Sequence, residues 1–139
     1  MKSVIDFYTD EFQINGSYTR NENLADMTAI RSSFRAYKDN LNSEMEPALP
    51  GLQAYSNDQL YFLSFASIWC NNNKYDNTSI HGPHSSIWCN NNKYDNTSIH
   101  GPHSSRVYGP LMNLQEFSDA YKCPLGSRMN PEEKIIFWG

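Results

Sequence analysis

The chain has 139 residues, a net charge of −4 and a pI near 5.5; 39% of its residues are apolar and 14% aromatic. The acidic balance excludes the basic patch that a nucleic-acid partner calls for, and no stretch reaches the roughly 20 apolar residues of a membrane span. There is enough chain for one ordinary domain, but few aliphatics beside many Phe, Tyr and Trp point to aromatic faces that pack against something beyond it.

The opening Met-Lys-Ser-Val-Ile-Asp turns acidic too soon for a signal peptide, so no export signal is expected within this chain. Leu24, Met27, Ile30, Phe34, Tyr37 and Leu41 recur at helical spacing and predict a first helix from about Glu22 to Leu41. Thr19 with Glu22 three residues on fits a capping box at its start, while Pro47 and Pro50-Gly51 break the pattern beyond its end. A second helix is expected from Ser56, with Gln59 as its N3 partner, through Leu60, Phe62, Leu63, Phe65 and Ala66. It is apolar nearly all round, which predicts burial.

Residues 67–85 then recur without a single change as residues 86–104. Solenoid units diverge in sequence and need about three or more copies to bury a core. Two identical copies therefore read as a recent duplication or a mis-assembled gene model. The Asn-rich body of the repeat, with its Gly-Pro pairs, is expected to be mostly loop. A short strand is expected near Arg106-Val107-Tyr108. A third helix follows from Asn113 to Tyr121, with Leu114, Phe117 and Tyr121 on one side, and Pro124 stops it. The fold class is mainly α.

Three cysteines, Cys70, Cys89 and Cys123, leave a free thiol or a partner elsewhere. N-x-[ST] sequons at Asn15, Asn77 and Asn96 matter only in a secreted protein. Glu22 and Asp26 are four residues apart, so a helix projects both carboxylates from one face. From spacing alone they read as a capping glutamate and a solvated aspartate near a helix N-terminus, where the dipole favours acids. Histidines three apart occur at His81 and His84 and again at His100 and His103, with Gly-Pro between them. Such a segment reads as a surface loop; the alternative is a small zinc-binding structural protein.

The surrounding sequence adds to this. Asn15-Gly16, Thr19, Glu22-Asn23-Leu24-Ala25-Asp26 and Ala36-Tyr37-Lys38 resemble the neprilysin and endothelin-converting-enzyme family of zinc metalloendopeptidases. The resemblance continues in order through Leu49-Pro50-Gly51-Leu52, through Gln59 to Ala66 with Trp69-Cys70, and through Gly109-Pro110-Leu111, Asn113 and Glu116-Phe117. It closes with Cys123-Pro124, Gly126-Ser127, Met129-Asn130-Pro131, Lys134 and Trp138, so it covers nearly the whole chain outside the duplication. It implies the C-terminal helical part of a thermolysin-like metallopeptidase catalytic domain, interrupted by the duplicated segment, so that residues 1–139 form a partial domain. By the same resemblance, Glu22 is the third zinc ligand and Asp26 orients one of the zinc-binding histidines. The family's His followed six residues later by Arg is met by His100 with Arg106, whereas His81 has Ile87 at that offset. His100 is then expected to hydrogen-bond the oxyanion of the tetrahedral intermediate, and Arg106 a substrate carbonyl. The implied partners are peptide substrates, cleaved on the amino side of hydrophobic residues, and the implied location is an extracellular or cell-surface ectodomain.

The departures concern the metal. A catalytic zinc takes three protein ligands and a water, and in this family two histidines and the general-base glutamate come from an H-E-x-x-H helix. No H-E-x-x-H occurs here, and all four histidines lie in the repeat copies. The chain alone is therefore expected to bind no zinc and to have no peptidase activity, with H-E-x-x-H supplied by upstream sequence or a further exon. The alternative is a non-catalytic peptidase-like remnant that at most binds peptides or a partner protein. Asn21 replaces the family's Gly, and Arg20 stands where an apolar residue is usual. Ile135 replaces a cysteine whose usual partner aligns with Ser3, so both ends of one disulfide are changed together. The resemblance pairs Cys123 and the Trp-Cys cysteine with N-terminal segments of the family's domain.

Overall fold

The computed structural model describes residues 2–41, 47–69 and 98–135. Five helices occur among them: α1 Val4–Phe12, α2 Gly16–Asn40, α3 Asn57–Ile68, α4 His103–Met112 and α5 Gln115–Ala120. The mainly α expectation holds; among the described residues there is no strand, only an isolated bridge between Ser127 and Asn130. Most of the repeat, and with it the loop expected there, lies outside the described residues, as do His81, His84, Cys70, Cys89, Asn77 and Asn96.

α1 was not expected. Ser3 caps it by accepting from the Asp6 amide, and Val4, Phe7 and Tyr8 form its buried stripe. Gln13 ends it in the left-handed region at φ 54°, and Asn15 then caps α2 by accepting from the Tyr18 amide. α2 thus starts six residues before Glu22. Thr19 is not its cap but a buried residue inside it, donating to the Asn15 carbonyl. The early start has a visible cause: Gly16 lies where a Cβ would strike the Ile5 carbonyl and the Thr9 hydroxyl, so the two helices meet closely at that turn.

The long helix α2 joins two cores. Leu24 and Met27 pack with Val4, Phe7, Tyr8, Ile14, Met112 and Ile135. One to three turns further on, Ile30, Phe34 and Tyr37 pack with Phe62, Val107, Leu111 and Leu114. Ile135, where the resemblance leads one to expect a cysteine, is buried among the apolar side chains of the first core, while Ser3 is the exposed cap of α1. The second core is largely aromatic: Phe34 stacks on Phe62 at 4.8 Å and Tyr37 on Tyr61 at 5.1 Å, with Phe117 edge-on to Phe62. The aromatics thus pack largely on one another.

Two expectations are corrected. Arg106, Val107 and Tyr108 are helical, because α4 buries Val107 and Leu111 one turn apart on the second core and Met112 on the first, with Tyr108 half-buried against both. α3 carries the expected capping box, Ser56 with Gln59, but only Phe62 of it is buried. Leu63 and Ile68 are 48% and 72% exposed, because α3 lies against α5 and the aromatic ridge of α2 on one side only. The third expected helix is α5, within the span foreseen for it.

Candidate active site

α2 and α4 pack together, and their facing sides carry the charged groups. Glu22 and Asp26 are one turn apart on α2, and between them Asn23 is buried, donating to the Thr19 hydroxyl at 2.9 Å. Burial of Thr19 and Asn23 keeps that face of α2 inward and so sets the direction of the carboxylates beside it. On the other side, Pro102 caps α4 and places Arg106 at the end of its first turn. Gly101, just before it, is buried where a Cβ would meet the Ser105 hydroxyl and Ile14, so the approach to α4 runs close against the turn between α1 and α2.

Arg106 forks onto Asp26: Nε donates to Oδ2 at 2.6 Å and Nη2 to Oδ1 at 2.7 Å. Both side chains are largely buried, at 15% and 10% exposure. The Asp26 hydrogen bonds raise the Arg106 pKa above its ordinary value, outweighing the desolvation that would lower it. Glu22 Oε2 lies 3.8 Å from Arg106 Nη2 and 3.2 Å from His100 Nε2. The structure therefore brings together all four residues singled out in the sequence: Glu22, Asp26, His100 and Arg106.

Two neighbours were not singled out. Trp69, at the end of α3, lies under the Arg106 guanidinium, 4.1 Å from ring centroid to Cζ. Tyr8 of α1 is fully buried near the ion pair, its hydroxyl has no partner among the described residues, and burial followed by the Asp26 charge raises its pKa. Aromatic–cation contacts between distant segments leave no periodic signal, although an Arg near a sequence-distant Trp is a pairing worth testing in any fold.

Among the described residues the donor set does not fit a zinc ion on its own. Glu22 offers one carboxylate, both Asp26 oxygens accept from Arg106, and no group of three His, Cys, Asp or Glu among the described residues could hold a metal.

A helical fold carrying a carboxylate–arginine–histidine cluster is compatible with several classes of protein, and comparison with known proteins supplies the family. The family model for Peptidase family M13 matches residues 3–135, and the chain belongs to that family. It is 38% identical to Neprilysin-11 of Caenorhabditis elegans over 135 residues, covering 91% of this chain and 14% of that protein. It is also 36% identical to an endothelin-converting enzyme homolog of Locusta migratoria, covering 97% of this chain and 17% of the other. With rat endothelin-converting enzyme 1 it shares 39% identity, over 90% of this chain and 15% of that enzyme. The chain thus spans less than a fifth of the length of the curated relatives it matches.

Proposed function

We propose that this chain is the C-terminal part of the catalytic domain of a zinc metalloendopeptidase that hydrolyses peptide bonds before hydrophobic residues. The observation that carries the reading is the convergence of Glu22 and Asp26 of α2 with Arg106 of α4 and His100 of the segment before it, about 80 positions apart in sequence. Within it, Glu22 is the single metal ligand this chain contributes. Asp26 orients one of the zinc-binding histidines and holds Arg106. His100 is placed to donate a hydrogen bond to an oxyanion, and Arg106 to donate to a substrate carbonyl.

The H-E-x-x-H helix belongs to a further part of the same domain, which is the main partner of this chain, with peptides as substrates. Residues 1–139 are one partial domain carrying the tandem 67–85 and 86–104. The 139 residues alone are inactive. Extracellular or cell-surface placement follows the same reading; no described helix is long and apolar enough to cross a membrane.

The test compares two proteins on a quenched-fluorescent peptide with a hydrophobic residue after the scissile bond. The gene product at its natural length, supplied with zinc, is expected to cleave it, and Glu22→Gln to abolish cleavage. The 139-residue chain is expected to leave the peptide intact. Cleavage by that chain alone, or full activity of Glu22→Gln, would overturn the reading. The absence of H-E-x-x-H favours one second reading, a non-catalytic peptide-binding remnant. It predicts no hydrolysis by the natural product at any zinc concentration.

A further inference from the structure

Asp26 fixes only part of the orientation of Arg106. A bidentate fork sets where the Nε–Nη2 edge lies, but leaves the guanidinium free to tilt about the line through its two hydrogen bonds. The Trp69 ring, 4.1 Å below Cζ, blocks that tilt from one face. Trp69 itself packs against the second core, and His103 meets it edge-on at 5.9 Å; its indole Nε1 is buried with no acceptor among the described residues. Glu22 closes a third side at 3.8 Å from Nη2. Nη1 has no hydrogen bond or ion pair among the described residues, so its two N–H groups remain available.

We propose that Trp69 is a positioning residue for Arg106. Its indole face fixes the guanidinium plane so that the Nη1 edge is held ready for an acceptor oxygen, the carbonyl or carboxylate of a bound peptide. The functional half of this rests on the reading of Arg106 as a substrate anchor; the positioning half stands on the contact itself. The aromatic face carries the role, and the indole N–H does not. Phenylalanine is therefore expected to substitute in part and leucine not at all, although leucine is also apolar.

The experiment uses the 139-residue chain and the proton–nitrogen NMR signal of the arginine Nε–H groups. Arg106→Lys identifies the Arg106 signal by removing it. That signal is expected upfield of the other arginines, shifted by the indole ring current, and slow to exchange with water because it is bound to Asp26. Trp69→Leu is expected to abolish the shift and speed exchange about tenfold with helix content unchanged. Trp69→Phe is expected to retain slow exchange with a smaller shift. Wild-type exchange in Trp69→Leu, or an unshifted Arg106 signal in the wild-type chain, would overturn the proposal. Should Trp69→Leu fail to fold, Trp69→Phe decides: exchange as fast as that of an exposed arginine refutes it. The anchor reading fails separately, if Arg106→Lys leaves the KM of the natural-length product unchanged.

Discussion

Removing one oxygen atom, in Tyr8→Phe, should stabilise this protein. The Tyr8 side chain is fully buried, and its hydroxyl finds no partner among the described residues. Burying an unpaired hydroxyl costs about 1–3 kcal/mol in proteins, and Phe keeps the ring and its contacts with Phe7 and Phe12. The hydroxyl also fills the space beside Gly109, so some dispersion contact is lost, at about 0.1–0.2 kcal/mol for each atom pair. The net expectation is a gain of about 1 kcal/mol at pH 7, or a shift of about 0.5 M in the urea midpoint with an unchanged slope. A second signature comes from titration. Burial raises the pKa of Tyr8 in the folded state, so the folded chain keeps its proton where the unfolded chain releases it. The unfolded state then binds fewer protons, and the stability contribution is complete below about pH 10 and falls above it by about 1.4 kcal/mol per pH unit. Between pH 7 and pH 11 the advantage of Tyr8→Phe should therefore widen from about 1 to about 2.5 kcal/mol. Urea unfolding followed by circular dichroism at both pH values measures it. A loss of 1 kcal/mol or more at pH 7, or a gap that does not widen, would refute the reasoning by showing that the hydroxyl is paired.

Asp26→Asn removes one acceptor of the fork and the charge that Arg106 faces, with both groups largely buried. It should cost about 2–4 kcal/mol, with a coupling above about 1 kcal/mol in a double-mutant cycle with Arg106→Gln. Gly109→Ala drives a Cβ into the Tyr8 hydroxyl and ring, and should cost about 2–3 kcal/mol in urea unfolding. That cost should shrink in the Tyr8→Phe background, because the hydroxyl is the nearest obstacle. Deleting residues 70–88, one repeat length, leaves Trp69, His100 and Arg106 in place, because the two copies are identical. Stability should change by no more than about 1 kcal/mol, and the ring-shifted Arg106 NMR signal should persist.

What the sequence disclosed follows the range of the interactions involved. The start of α3 was legible because its capping box, Ser56 with Gln59, is a local device complete within four residues. α1 has a similar local start in Ser3, but only three buried residues, too few to stand out as a periodic run. The segment from Arg106 to Tyr108 looked strand-like because Val and Tyr favour strands, and tertiary packing of Val107 and Leu111 decided otherwise. α3 was expected to be buried because it is apolar all round, yet burial depends on what lies opposite, which composition does not state.

In the site, the four-residue step from Glu22 to Asp26 was readable as a shared helix face. That His100 and Arg106 meet it came from resemblance, since contacts about 80 residues apart leave no trace in local spacing. Trp69 was hidden twice. Its contact is non-local, and it belongs to a repeat whose first copy supplies Trp69 while the second supplies His100 and His103.

The most direct test of the account is the mass and peptide map of the native gene product, captured with an antibody against residues 123–138. The expected result is a species well above 16.0 kDa whose peptides include an H-E-x-x-H sequence ahead of the Glu22 segment. A native species of 16.0 kDa carrying both repeat copies and no H-E-x-x-H would contradict it, and would leave a peptidase-family chain without a peptidase's catalytic centre.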